Sequence, residues 1–133
     1  MIGSTNGQAS GNVVFSYPIS TGSVSCANNT KTVLCTLSLP KGISIVQFAI
    51  SFNSNATGYR KAFLSTASDL SSDIGIIGSA MSEASSVGDT VLNATCLVNN
   101  TSSSSVTYYL GASQNSGSTL SAYPRVKIVT IKA

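Results

Sequence analysis

The feature that most restricts this chain is a two-residue rhythm. From Lys31 onward, apolar and polar side chains alternate over stretch after stretch, and no stretch keeps the 3.6-residue period of an amphipathic helix. Ile43 to Phe52 is the clearest case, with Val46, Phe48, Ile50 and Phe52 on one face and Ile45, Gln47, Ala49 and Ser51 on the other. Lys31 to Leu39 sets Val33, Cys35, Leu37 and Leu39 opposite Thr32, Leu34, Thr36 and Ser38, before Pro40, Lys41 and Gly42 turn the chain as in a hairpin. Tyr59 to Ser65, Thr90 to Val98, Ser105 to Ser113 and Arg125 to Lys132 repeat the pattern, and Val13 to Tyr17 and Ser23 to Ala27 are shorter candidates. Thr66 to Asp89 predicts a long loop with one embedded strand, Asn99 to Ser105 a polar hairpin turn, and Gln114 to Pro124 a turn-rich connection. About eight to ten short strands with frequent turns predict an all-β two-sheet sandwich or jelly roll.

A length of 133 residues suits one domain with a proper core. Residues 1–12 carry almost no apolar side chains and predict a flexible lead-in from an upstream stalk or fibre, leaving 13–133 as the folded domain. Only 8% of the residues are charged, so Ser, Thr, Asn and Gly must supply most of the surface. The net charge of +3 comes from seven basic residues scattered between Lys31 and Lys132, without a cluster or interleaved aromatics, and nucleic acid is not an expected partner. The longest apolar stretch, Ile43 to Phe52, is interrupted by Ser44, Gln47 and Ser51, so neither membrane insertion nor a signal leader is expected. Cys26, Cys35 and Cys96 cannot all pair within one chain and match no zinc spacing. They read as buried thiols of a protein assembled in a reducing compartment, with a Cys26–Cys35 disulfide as the alternative.

The chain has no histidine, which removes Ser-His-Asp and Cys-His catalysis and histidine-based metal sites. Its acids, Asp69, Asp73, Glu83 and Asp89, all fall in the long loop, where a glycosidase carboxylate pair would lack a rigid support. Asp69 and Asp73 lie among serines but do not follow a calcium-loop spacing, so the expectation is no catalytic residue, no metal and no cofactor. Tyr59, Arg60 and Lys61, following an Asn-rich turn, combine an aromatic face with a planar guanidinium and are candidates for sugar contact, with Asp69 and Asp73 as further ligand candidates. The opposing reading makes Tyr59 a packing residue and leaves Arg60, Lys61 and the acids in solvent. Sequons at Asn28, Asn55, Asn93, Asn99 and Asn100 follow from a composition rich in Asn, Ser and Thr.

Several strands are apolar on both faces, notably those with Ile45 and Ala49, Tyr108 or Tyr109, and Val129 and Ile131, which implies a covered outer face and self-association. Leu39-Pro40-Lys41-Gly42, then Asn53-Ser54-Asn55-Ala56-Thr57-Gly58-Tyr59-Arg60, then Gln114-Asn115-Ser116-Gly117 occur in an order that resembles the tumour necrosis factor and complement globular-head superfamily. The version most resembled is the head at the C-terminal ends of bacteriophage tail and minor structural proteins and of bacterial collagen-like surface proteins, over roughly Val13 to Ala133. The resemblance implies a ten-stranded jelly roll assembling as a homotrimer. Ile43 to Phe52, Ser105 to Ser113 and Arg125 to Lys132 would face the axis, making Ile45, Gln47, Ala49, Tyr108, Tyr109, Val129 and Ile131 interface candidates. The function it implies is a non-catalytic receptor-binding head at the tip of a phage tail fibre, assembled in the bacterial cytoplasm and binding a bacterial surface glycan or protein. The alternatives are a structural trimerisation cap on a fibrous or collagen-like protein at the bacterial surface, and a glycan-cleaving enzyme.

Overall fold

The computed structural model describes residues 13–15, 19–20, 22–71, 76–83 and 88–131, and every regular element among them is a strand. In chain order these are β1 (Val13–Phe15), β2 (Ile19–Ser20), β3 (Val24–Cys26), β4 (Thr32–Leu39), β5 (Gly42–Phe52), β6 (Tyr59–Ser65), β7 (Ile76–Glu83), β8 (Thr90–Asn100), β9 (Val106–Gln114) and β10 (Leu120–Ile131). They form two antiparallel sheets, one ordered β4-β9-β6-β7 and the other β10-β5-β8, with β1, β2 and β3 all pairing with the remaining edge of β10. Those three pieces meet successive stretches of β10 and act as one broken edge strand. Each sheet is therefore four strands wide, in the jelly-roll order of a double-sheet sandwich.

Apart from the edge pieces, only β6 and β7 are both neighbours in sequence and partners in one sheet. Every other connection crosses the sandwich, which corrects two expectations. Pro40 to Gly42 and Asn99 to Ser105 are corners between sheets, since β4 and β9 belong to one sheet and β5 and β8 to the other. The start of the last strand is a third correction, because β10 begins at Leu120 and runs through Pro124. Pro124 lies between the stretch of β10 that pairs with β3 and the stretch that pairs with β2. A residue without an N–H is tolerated where the neighbouring ladder is interrupted.

The core lies between the inner faces: Val46, Phe48, Ile50 and Phe52 of β5, Leu92, Cys96 and Val98 of β8, and Val126 and Ile128 of β10 meet Leu37 and Leu39 of β4, Leu64 of β6, and Tyr108 and Leu110 of β9. In β4 the uniform alternation fails. The β9 register passes from Leu110↔Cys35 to Gly111↔Val33, leaving Leu34 as an extra residue that turns into the core, while Val33 and Cys35 are only half-buried. One bulge reverses the face of every residue beyond it. A smaller apolar cluster sits outside the β4-β9-β6-β7 sheet, where Leu70 folds back over Phe63 and would collide with any side chain at Gly111. Lys31 clamps this return, donating to the Leu70 carbonyl at 2.8 Å with its ammonium 5.5 Å from the Phe63 ring centre.

The three cysteines are free. Burial raises the pKa of each, and that of Cys35 is pushed up to about 11 from an ordinary 9.0. Such a thiol holds its proton more tightly folded than unfolded, so its contribution to stability is complete below pH 9.0 and is lost as pH rises toward 11. Denaturation midpoints should fall across that interval, and the fall should be shallower in Cys35→Ala.

Candidate functional site

β5 is the central strand of its sheet and pairs without a break with β10 on one side and with β8 on the other. Because side chains alternate, the residues opposite the core form rows across the outer face. Ile131, Ile43 and Asn99 form the first row; Val129, Ile45 and Leu97 the next; then Lys127, Gln47 and Thr95; then Arg125, Ala49 and Asn93; then Tyr123, Ser51 and Val91. The first two rows put five aliphatic side chains side by side, with Leu97 65% exposed, Ile131 47%, Ile45 39% and Ile43 38%. Further along, the face is polar. Ala49 forms a low floor there, between a groove of about 420 Å³ bounded by Gln47, Asn93, Arg125 and Lys127 and one of about 440 Å³ bounded by Ser51, Asp89, Val91, Tyr123 and Arg125.

Five of the interface candidates therefore share one surface: Ile45, Gln47, Ala49, Val129 and Ile131. The other two do not join them. Tyr108 and Tyr109 sit on β9 in the opposite sheet, where Tyr108 is buried in the core, its hydroxyl pKa raised by burial, and Tyr109 is half-buried on the far side. The two tyrosines point opposite ways, and the strand that bears them lies in the sheet across the sandwich from β5 and β10. Sequence reasoning missed Ile43, Leu97, Asn93, Tyr123, Arg125 and Lys127. Except for Tyr123, which the sequence placed in a turn-rich connection, their alternation was visible, but only the register across three strands reveals that they are neighbours.

The ligand candidates are scattered. Arg60 is fully buried, contrary to both readings of it: its Nη1 donates to the carbonyls of Thr57 at 2.9 Å and Tyr59 at 3.1 Å, and its Nη2 to that of Asn55 at 2.9 Å. The guanidinium lies 6.0 Å from the Phe52 ring centre, and burial lowers its pKa from the ordinary arginine value. Lys61 rests over Phe63, and Tyr59 is exposed on the same strand. Asp69 accepts from the N–H of Ser71 at 3.0 Å and from its hydroxyl at 2.5 Å, which pull the carboxyl below its ordinary range and make it a turn former. Asp73 lies outside the described residues.

Arg60 belongs instead to a brace at one end of the sandwich, built from the motifs that carried the resemblance. Gln114 is buried and donates to the carbonyls of Cys26 at 2.9 Å and Ser118 at 2.7 Å while accepting from the Ser116 N–H at 2.7 Å. Asn115 Oδ1 accepts from the Tyr59 N–H at 2.6 Å, and Asn28 Oδ1 from the Gly117 N–H at 2.8 Å. Gly58, at φ +73°, must be glycine because a Cβ there would run into Asn115. The brace ties the 27–30, 53–58 and 114–118 loops together. Among the described residues, no three cysteine or acidic side chains converge as a metal-ligand set.

Over 90% of its length the chain aligns with chains of infectious bursal disease virus. For the T13 particle the TM-score is 0.55 at 12% identity, with 31% of the viral chain covered; for the Gx strain it is 0.51 at 13% identity, with 32% covered. It thus spans about a third of the viral chains it matches, and the likeness is one of fold. The C-terminal CBM6 module of a marine laminarinase from Zobellia galactanivorans aligns with a TM-score of 0.38 at 12% identity, over 86% of this chain and 98% of that module. No protein-family profile and no curated protein sequence matches the chain.

Because Arg60 and Gln114 brace loops, Arg60→Met and Gln114→Leu should each lower stability by roughly 2–4 kcal/mol, each orphaned buried polar group costing about 1–3. Urea denaturation measures this. An effect below 0.5 kcal/mol, roughly that of an ordinary surface change, would remove the brace from the account.

Proposed function

We propose that this domain is a non-catalytic, self-associating attachment head: a homotrimer on a virion structure, such as the tip of a phage tail fibre, that binds a glycan or protein on a bacterial surface. The observation that carries the proposal is the aliphatic end of the outer sheet face, Ile43, Ile45, Leu97, Val129 and Ile131, with no charged residue in its two rows. A surface of that kind favours an apolar cover, and an identical copy brings an equal patch without requiring another gene product. The jelly-roll fold shared with chains of a virus particle fits a virion role. Three weak sites on one head would bind a repetitive cell surface through avidity.

A second reading, a trimerisation cap that registers an upstream fibre and binds nothing, is favoured by one finding. Arg60, Gln114 and Asn115, the residues that carry the motif resemblance, are engaged in bracing loops. Binding of the purified protein to whole bacterial cells separates the two: attachment supports the head, and none supports the cap.

Sedimentation at low micromolar concentration should give a trimer, whereas a monomer at that concentration overturns self-association. Leu97→Asp and Ile45→Asp should each shift the protein to monomer with an unchanged far-ultraviolet circular dichroism spectrum, because each places a carboxylate in an apolar contact.

A further inference from the structure

The polar end of the same sheet face has a different chemistry. Arg125 and Lys127 are both exposed, on one face of β10 and about 7 Å apart along the strand. Neither has a hydrogen-bond or ion-pair partner among the described residues, nor do Gln47 and Asn93 across the rows from them. Three other cations are occupied, Lys31 by the Leu70 carbonyl, Arg60 by backbone carbonyls and Lys61 by the Phe63 ring, while Lys41 is exposed at a corner away from these grooves. Two like charges on one strand face repel, and although Asp89 lines the groove on the Tyr123 side, the groove that Arg125 shares with Lys127 has no acid in its lining, which leaves affinity for an anion there.

What surrounds them narrows the class of anion. Ala49 removes side-chain bulk from the middle of the face, so the two grooves meet beside Arg125. Tyr123, 43% exposed, supplies a ring to lie against the C–H face of a sugar, and Asn93, Gln47 and Ser51 supply amide and hydroxyl groups for its hydroxyls. The planar guanidinium of Arg125 suits two-point contact with a carboxylate or phosphate. We infer that the groove over Ala49 binds an anionic saccharide, with Arg125 and Lys127 holding the acidic group and Tyr123 the ring. This deepens the attachment role and rests on it for the bacterial source of the glycan, though the groove chemistry does not require the trimer. Packing this end of the face against other copies would crowd their Arg125 and Lys127 together, so the contact between copies belongs to the aliphatic end.

The test is calorimetric titration with an oligogalacturonate, its methyl ester, a phosphorylated oligosaccharide of the same length, and single-stranded DNA. The oligogalacturonate or the phosphorylated oligosaccharide should bind, the source of charge being read from which of the two does, and the methyl ester should bind at least tenfold more weakly. Arg125→Gln should weaken binding roughly tenfold or more. Ala49→Leu, which fills the floor without changing charge, should weaken it comparably, with thermal unfolding used to check that both variants are folded. Equal binding of the ester, equal binding of DNA, no effect of Ala49→Leu, or no binding of either acidic oligosaccharide overturns the inference. Repeating the titration on the Leu97→Asp protein separates the two proposals: undiminished affinity per site in a monomer, or in a wild type that never trimerises, leaves the groove standing.

Discussion

The pairing of β5 with both β10 and β8 is the constraint on which the rest of this molecule depends. Because side chains alternate, a slip of one residue in either ladder would carry Phe48, Ile50 and Phe52 out of register with Val126 and Leu92 and expose apolar residues that now fill the core. The same register aligns Ile43, Ile45, Leu97, Val129 and Ile131 into one aliphatic surface, and Arg125, Ala49 and Asn93 into one polar row. Core and outer face are two results of a single choice. The hydroxyls of Ser44 and Thr130, paired at 2.8 Å and buried, add a directional bond at one cross-strand position and help define that register.

Uncharged polar side chains do much of the work that ion pairs perform elsewhere. Asn100 bridges one corner by donating to the carbonyls of Leu39 and Ser104, while Gln114, Asn115 and Asn28 hold the loops at one end. Arg60 is placed in this company with carbonyl partners and, among the described residues, no carboxylate. Its charge is compensated by oriented backbone dipoles and by Phe52, an arrangement that needs the whole loop to fold around it. The motifs behind the family resemblance thus correspond to a mechanical brace, and their presence bears on fold before it bears on ligand.

Charge is scarce enough that its distribution is informative. Lys31, Arg60 and Lys61 are spent on internal contacts, and Asp69 on its own turn. Arg125 and Lys127 have no partner among the described residues and lie on the outer face, beside a floor lowered by Ala49. An aliphatic end and a cationic, grooved end thus share one sheet face, and the two proposals made for it rest on different residues.

The two-residue rhythm alone was enough to establish the all-β sandwich, the strands β5, β6 and β8, the two faces of β5, and the strand inside the long loop, because alternation is a local property of a half-buried strand. Turn residues such as Pro40, Gly42 and Asn99 to Ser105 marked where the chain reverses. They could not show that it changes sheets there, since a corner and a hairpin use the same residues. The bulge at Leu34 and the survival of Pro124 inside a strand depend on a partner strand distant in sequence, whereas the burial of Arg60 against Phe52 and the carbonyls of Asn55, Thr57 and Tyr59 depends on how the intervening loop folds around it. Only the tertiary structure decided that β9, with Tyr108 and Tyr109, stands across the sandwich from β5 and β10, and that Leu97 adjoins Ile45 while Arg125 adjoins Ala49. In a strand without a bulge, which face a residue occupies follows from alternation along the chain, but where that alternation breaks and which residues share a face are set by long-range hydrogen-bond register.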